Sequence, residues 1–360
     1  MDVAREFLEE PEIEPDEFFS IIDTGMHGLI QLAVIGVACE RGIFDLLEHK
    51  AQTPDDIAGR LGVSSGMLAP LLVILSRTGL LVRSGQTYQN SPLASMYLAS
   101  SSPYSQGHYI GKNMIFFREI WASLSMLLDC GPVVFENETF FRTLSLPAMA
   151  DNALCGRLQR TVHEVTNLPE FATCQKMVDL GGGHGLYAIA LCAINPRLSA
   201  RVFDHPHVLP VAEDYIRKYG AGRVSLMAGD FFSDDFGTGY DLIFSSSNPS
   251  GKSIELLPII AQALTPGGLF VNVQSDNDDS RDPYQELEGE LWTLDTSRND
   301  MGKRTKEQPF LTPAYRTALS AVGLTMIRET SIRDNYHVST FVHMIIAKKS
   351  GKGINRKRTE

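Results

Sequence analysis

The chain has 360 residues, of which 43% are hydrophobic and 21% are charged, and its formal net charge is -11. This length predicts two domains, and the negative charge argues against a nucleic-acid partner or an anionic lipid surface. The five cysteines form no CxxC pair, which argues against a zinc cage or a disulfide scaffold and predicts reduced thiols in a cytoplasmic protein without a bound metal.

The first predicted helix covers residues 18–39 and follows an acidic segment, residues 1–17, that we expect to fray. Its most apolar run, residues 28–39, is shorter than the roughly 18 residues that span a bilayer, so we expect no membrane span. Apolar side chains are dense enough for a helix that is buried on several faces. A monomer could cover such a helix with its own later helices, but a symmetric homodimer seam is the favoured interpretation.

A helix–turn–helix pattern starts at Thr53, which is placed to cap a helix with Asp56 in a capping-box arrangement, and Gly62 ends that helix. The second helix runs through MLAPLLVILSR and is followed by two short strands, so the segment predicts a winged-helix module. Bases are read by basic and amide side chains, whereas this second helix is apolar and offers only Arg77. We therefore expect a structural or dimerising module without a nucleic-acid partner.

Two aromatic segments are candidates for an acceptor pocket. Most of their side chains have the spacing of core residues, and the alternative is that some form a wall for a small, flat, partly apolar ligand. For Trp292 the alternatives are a core residue or a pocket wall, and for Asp295 a solvated acid or a group that bonds the substrate. The pocket candidates are Asn113, Phe117, Trp121, Met126, Trp292 and Asp295.

Beyond residue 170 the chain alternates short apolar runs with helical patterns, which predicts a Rossmann-like, doubly wound α/β domain with a mostly parallel sheet. We place the domain boundary there, with an all-helical dimerisation domain over residues 1–169 and the α/β domain over residues 170–349. A basic segment without periodicity, residues 350–360, predicts a disordered tail. Ligands of doubly wound sheets bind at the carboxyl ends of the strands, and the polar clusters of this half follow predicted strands.

The turn after the first predicted strand contains Gly181, Gly183 and Gly185, with Asp179 just before it. Dinucleotide sites place a third glycine where this chain has Leu186. Bare backbone beside an acid suits an amino-acid carboxylate and ammonium better than a pyrophosphate. The spacing therefore favours a ligand with an amino-acid end.

Acids also end the next two predicted strands. Asp204 can accept both hydrogen bonds of a ribose diol, and Asp230 with Phe231 offers a carboxylate for an exocyclic amine and a ring for purine stacking. Each acid alone could be a turn cap, but acids at three successive strand ends favour a nucleoside ligand. Ser245, at the end of the fourth strand, is a further cofactor-binding candidate.

These residues resemble the class I S-adenosylmethionine-dependent methyltransferases, and within them the small-molecule O-methyltransferases of the plant phenolic, bacterial natural-product and hydroxyindole type. The resemblance covers roughly residues 25–348 and depends on VDLGGGHG, FDHPHV, GDFF and LTPGG. It implies an intertwined homodimer, S-adenosylmethionine as cofactor, and an acceptor pocket between the two domains. It also implies that Gly181, Gly183 and Asp204 hold the cofactor, with Asp230 and Phe231 at the adenine.

The chain departs from this family after the fourth strand, where members carry His-Asp-Trp with a histidine base and this chain reads SSSNPSGKSIELL. The glutamate that often supports that histidine is also missing, since the matching segment reads MGKRTKEQP. We therefore expect methyl transfer by proximity to an acceptor that ionises by itself. If a base exists, His163 is the first candidate, followed by His108, Asp295 and His337. The alternative is an S-adenosylmethionine-binding protein that has lost methylation.

Overall fold

In the computed structural model, which describes residues 12–275, 283–294, 310–334 and 340–351, the chain divides into two units, Met1–Met114 and Ile115–Glu360. This division lies upstream of the boundary that we placed at residue 170. The difference arises because Leu158, Val162 and Val165, which precede that boundary, are buried in one core with the central sheet. Asp295, His337 and most of the predicted tail lie outside the described residues.

The first unit contains the expected helix–turn–helix and a hairpin. The capping box is confirmed, since Thr53 Oγ1 accepts from Asp56 N–H at 3.2 Å and Asp56 Oδ2 accepts from Thr53 N–H at 3.2 Å. Gly62 ends the helix with a φ of 65°. The elements are α1 (Asp16–Glu40), α2 (Ile43–Leu46), α3 (Pro54–Leu61), α4 (Ser65–Arg77), β1 (Leu81–Ser84), β2 (Thr87–Asn90), α5 (Pro92–Tyr97) and α6 (Gly107–Glu119), which crosses the division.

Helix α1 has 25 residues, whereas the apolar run on which the prediction of no membrane span was based covers only residues 28–39. By length and composition the whole helix could cross a membrane. Within a single chain it is not buried on several faces, because only Gly36 and Ala38 are buried. Its exposed apolar side chains are Phe18, Phe19, Ile21, Ile22, Met26, Leu29, Ile30 and Val37. The described part of the chain leaves this side uncovered, and an exposed apolar surface of this size indicates a contact site.

The helical part of the second unit contains two π-helical turns, Phe140–Ser145 and Ala153–Arg157, which interrupt an otherwise α-helical run. A π-helical turn inserts one residue and so changes the side of the helix that each following residue faces. Gly156, with a φ of 120°, marks a kink in the second turn. The regular elements are α7 (Leu124–Cys130), β3 (Val133–Phe135), α8 (Asn137–Thr139), α9 (Leu146–Asn152) and α10 (Leu158–Thr166).

The central sheet has seven strands in the order β10-β11-β8-β7-β4-β5-β6, of which the five from β8 to β6 are parallel. This confirms the mostly parallel, doubly wound α/β fold. Strand β11 is antiparallel to both of its neighbours. The strands are β4 (Lys176–Leu180), β5 (Ser199–Asp204), β6 (Val224–Ala228), β7 (Tyr240–Ser246), β8 (Leu264–Gln274), β10 (Leu324–Asp334) and β11 (Thr340–Lys349).

Helices cover both faces of this sheet. Alternate residues of each strand belong to different cores, so that Phe244 packs on one face and Ile243 on the other. A separate short strand, β9 (Trp292–Leu294), pairs in parallel with β3. The remaining helices are α11 (Leu186–Ile194), α12 (Leu209–Tyr219), α13 (Leu257–Ala263), α14 (Pro283–Leu291) and α15 (Pro313–Ala321).

Candidate active site

The glycine turn follows β4 directly and is held in a left-handed conformation. Gly181 has a φ of 62° and Gly183 a φ of 54°, values that favour glycine. A methyl group on Gly183 would lie 2.9 Å from Leu146 Cδ2, so a side chain there would also require Leu146 to move. The turn therefore presents bare backbone at the carboxyl edge of the sheet, where doubly wound folds bind ligands.

Asp204 ends β5 and clamps this turn from one side. Its Oδ2 accepts from Gly183 N–H at 2.9 Å, and its Oδ1 accepts from His205 N–H at 2.8 Å. Burial raises the pKa of Asp204, and the two N–H groups oppose that increase because they favour the ionised carboxylate. The acid expected to take a ribose diol thus lies beside the glycines expected to take the amino-acid end.

Asp179 lies under the turn and is 1% exposed. A methyl group on Gly182 would lie 2.8 Å from Asp179 Cγ, and Asp179 Oδ2 has no hydrogen-bond partner among the described residues. Burial, followed by the nearby charge of Asp204, raises the pKa of Asp179 well above its ordinary value. The Ala188 N–H opposes that increase, and the unpaired oxygen suits a cationic ligand, because an adjacent positive charge would favour the ionised form.

The end of β6 approaches the same place. Gly229 N–H donates to the Asp204 carbonyl at 3.0 Å, and Asp230 Oδ1 accepts from Phe232 N–H at 2.9 Å. The rings of Phe231 and Phe232 lie 4.8 Å apart. The residue just before Asp230 and Phe231 is therefore hydrogen-bonded to Asp204, and the contact of these two side chains with a nucleoside stays a prediction.

Gly185 has a different environment. It precedes α11, and a methyl group there would lie 3.3 Å from Val202 of β5. Its small size lets the helix approach the sheet, and its role in cofactor binding stays a prediction.

Comparison with known proteins identifies the group to which this arrangement belongs. The profile of an O-methyltransferase domain matches residues 146–312, and that of an O-methyltransferase dimerisation domain matches residues 25–100. An uncharacterised protein of Methanocaldococcus jannaschii is 31% identical over 277 residues, which cover 74% of this chain and 73% of that protein. The chain belongs to the O-methyltransferase family. Its class is that of S-adenosylmethionine-dependent transferases.

More distant relatives of this O-methyltransferase match a larger share of the chain. The acetylserotonin O-methyltransferase of Gallus gallus is 26% identical over 347 residues, covering 88% of this chain and 94% of that protein. The human N-acetylserotonin methyltransferase, solved with S-adenosylmethionine, superimposes with a TM-score of 0.68 at 22% identity and covers 95% of this chain and 100% of that one. The second comparison shows that the fold extends over both units.

In this O-methyltransferase, polar side chains at the end of β7 and in the loop that follows it form hydrogen bonds with one another. Ser245, which is fully buried, donates to Asn248 Oδ1 at 3.2 Å and lies 2.9 Å from Ser250 Oγ. Gln274 Nε2 donates to Ser245 Oγ at 3.4 Å. The hydroxyl of the predicted cofactor-binding residue Ser245 is therefore engaged within the loop, and its contact with a cofactor stays a prediction.

The predicted pocket residues are only partly brought together. Trp292 stacks on Phe140 at 4.9 Å, and Trp121 packs against the same aromatic cluster. Phe116 is the buried residue of α6 in that cluster, whereas Phe117, predicted as a pocket wall, is half-buried. Of the other candidates, Asn113 of the first unit donates its Nδ2 to Tyr109 O of its own helix, Met126 is 56% exposed, and Asp295 is outside the described residues.

The role of each candidate base stays a prediction. His163 is exposed on α10, the helix that leads into the amino end of β4, and its Nε2 lies 3.0 Å from Asn167 Nδ2. His108 is in the first unit, at the start of α6, and His337 is outside the described residues.

A buried polar cluster beside the glycine turn was not predicted from the sequence. Arg157 is 6% exposed and donates to Asp334 Oδ2 at 3.3 Å. Burial, and then the charge of Arg157, lower the pKa of His184 in the turn to about 3. Tyr187 faces Arg157 in the same cluster. No local pattern identifies this cluster, because Arg157 and Asp334 are 177 positions apart.

Proposed function

We propose that this O-methyltransferase transfers a methyl group from S-adenosylmethionine to a hydroxyl oxygen of a small, flat, partly apolar acceptor. The observation that carries the proposal is the clamp between the bare glycine turn and Asp204. The residues fit the cofactor: the bare glycine turn would lie against its amino-acid end, Asp204 would accept from its ribose diol, and Asp179 would lie near its cationic end. When bound, the cofactor supplies a strongly electrophilic methyl group.

The aromatic cluster around Trp292 supports the flat, partly apolar nature of the acceptor. Several rings lie together in the second unit, with Trp292 and Phe116 separated by 5.7 Å and Phe135 between 5 and 6 Å from Phe140. Aromatic faces of this kind suit a planar ligand. This chain is similar to an acetylserotonin O-methyltransferase and to a phenazine O-methyltransferase, and the names of both enzymes indicate planar acceptors.

Catalysis in this proposal depends on positioning. The loop after β7 contains no histidine between positions 245 and 257, and His163 is exposed on α10. Holding two reactants in line can supply about 7–11 kcal/mol of the acceleration at best. An acceptor that is ionised near neutral pH, such as a hydroxyquinone or an enol, needs no base from the protein.

The working unit in this proposal is a homodimer. The match to a dimerisation domain over residues 25–100 and the exposed apolar side of α1 both support it. A second chain would cover that side, which favours a protein partner over a bilayer. The cytoplasmic location and the absence of a nucleic-acid partner remain predictions from the sequence.

The second candidate function is a cofactor-binding protein that has lost methylation. The observation in its favour is that Ser245, Asn248 and Ser250 bond to one another where members of the family carry the catalytic histidine. Incubation with isotope-labelled S-adenosylmethionine and fractions of cell metabolites separates the two. A labelled small molecule supports the enzyme and identifies its acceptor, whereas tight binding without a labelled product supports the binder.

Calorimetry tests the site itself. We expect S-adenosylmethionine to bind in the low micromolar range and Asp204→Ala to weaken binding at least tenfold, because each charge-assisted hydrogen bond contributes ~1.5–3 kcal/mol. Asp214→Ala is the matched control, since Asp214 is an exposed acid of α12 that pairs with Arg217. Unchanged affinity in Asp204→Ala, or a preference for NAD, would contradict the assignment.

A further inference from the structure

Asn248 connects two strands at the carboxyl edge through both ends of its side-chain amide. Its Nδ2 donates to Leu180 O at 2.7 Å, at the end of β4. Its Oδ1 accepts from Ser250 N–H at 3.0 Å, within the loop that follows β7. Asn248 is half-buried, and no motif in the sequence assigns it a role.

The bond to Leu180 continues the sheet beyond its last regular pair. Leu180 and Ser245 are the final partners of β4 and β7. On the other side of β4, Gly181 N–H donates to Phe203 O of β5 at 2.8 Å. The first residue of the glycine turn is thus fixed by backbone on one side and by the Asn248 amide on the other.

The Asn248 amide also lies directly against Gly181. A methyl group on Gly181 would lie 2.9 Å from both Asn248 Cγ and Nδ2, so the two residues are in close contact. Since Gly183 is held by Asp204, the turn is clamped at both ends: by Asp204 from the β5 side and by Asn248 from the β7 side.

We propose that Asn248 is a positioning residue for the cofactor, acting through the glycine turn by holding the end of β4 and the left-handed Gly181 in the binding conformation. This inference rests on the proposed function of the turn. Without the amide, Leu180 O loses its donor and the loop after β7 is no longer tied to the turn. The cofactor then has to order the turn as it binds, and that ordering lowers affinity.

The chain contains a matched control for this residue. Asn195 Nδ2 donates to the carbonyls of Phe171 and Cys174 at 2.9 and 3.0 Å, and its Oδ1 accepts from Arg197 N–H, two residues ahead, at 3.0 Å. Asn248 likewise donates to a backbone carbonyl and accepts from the N–H two residues ahead. Asn195 follows α11 and precedes β5, so it acts at the amino edge of the sheet.

The experiment measures S-adenosylmethionine and S-adenosylhomocysteine affinity by calorimetry for wild type, Asn248→Asp, Asn248→Ala, Asn195→Asp and Asn195→Ala. Aspartate replaces the amide donor by an acceptor, which repels the carbonyl it faces. We expect both Asn248 variants to lose about tenfold or more in affinity for each ligand. Both Asn195 variants should stay within about twofold of wild type, although their melting temperatures also fall. Asn248→Ala keeps the test available if Asn248→Asp does not fold.

Affinity of both Asn248 variants within twofold of wild type overturns the inference. An equal loss in the Asn195 variants also overturns it, because that result would mean that general loosening of the sheet weakens binding. If the wild-type protein binds neither ligand, the proposed function and this inference are both overturned. If the wild-type protein binds and the Asn248 variants bind equally well, only the inference is overturned.

Discussion

His184 makes the fold sensitive to acid in a way that can be calculated. It is buried in the glycine turn, and burial together with the Arg157 guanidinium lowers its pKa to about 3. The ring is therefore neutral in the folded state, and its Nδ1 accepts from Leu186 N–H at 3.1 Å. In the unfolded chain the same histidine takes up a proton near pH 6.5.

The direction in which pH changes the free energy of unfolding follows from proton uptake by His184. Below pH 6.5 the unfolded chain binds a proton at His184 that the folded chain does not bind, so the free energy of unfolding decreases as the pH falls. The loss is about 2 kcal/mol at pH 5 and approaches about 5 kcal/mol near pH 3. For a unit of this size, 2 kcal/mol corresponds to a decrease in melting temperature of about 4–8 °C.

His184→Asn removes this term while keeping an acceptor near Leu186 N–H. We expect the variant to be less stable than wild type at pH 7.5, because aromatic packing is lost, and the difference between the two to shrink by about 2 kcal/mol at pH 5. Denaturant unfolding at both pH values measures this change, with the exposed His49→Asn as the control. An equal difference at the two pH values would refute the reasoning.

Three further outcomes follow from the structure. Asp179→Asn should raise the free energy of unfolding at pH 7, because the folded-state pKa of Asp179 is raised and its ionisation therefore destabilises the fold. In denaturant unfolding this gain should be small near pH 4 and grow as the pH rises, and calorimetry should show weaker S-adenosylmethionine binding. Ile22→Asp on α1 should shift the protein toward monomers in sedimentation, whereas Ile254→Asp, at another exposed isoleucine, should not. Trp292→Ala should lower the free energy of unfolding by about 2–3 kcal/mol, because it opens the aromatic cluster. Cofactor affinity should stay within about twofold of wild type.

The features that could be predicted from the sequence are those that neighbouring residues determine. The Thr53 capping box is one such feature, since its two partners lie three positions apart. The strand, glycine turn and helix around Gly181 are another, and each later acid could be placed because strands of a parallel sheet end at one edge. The pairing of Asp204 with Gly183 follows from that geometry.

Features that depend on distant contacts could not be predicted in this way. Asn248 reaches Leu180 across 68 positions, and nothing near Asn248 in the sequence indicates that bond. The two π-helical turns change which side of the helix faces inward, so helical periodicity places the residues after them incorrectly. The choice of Phe116 over Phe117 as the buried ring depends on the small β3–β9 pair, which brings residues 133–135 and 292–294 together.

The position of β11 has a consequence for how the protein is made. This strand lies between β8 and β10, yet it comes from residues 340–349, far behind β4 at residues 176–180. At about 5–20 residues per second, a ribosome needs roughly four to fifteen seconds to extend the chain from the end of β8, at residue 274, to the end of β11, at residue 349. During that time β8 has no partner on one side, and its backbone and its apolar side chains, such as Val271 and Val273, remain open to other chains. Biosynthesis at high local concentration therefore exposes this nascent sheet to aggregation before its last interior strand arrives.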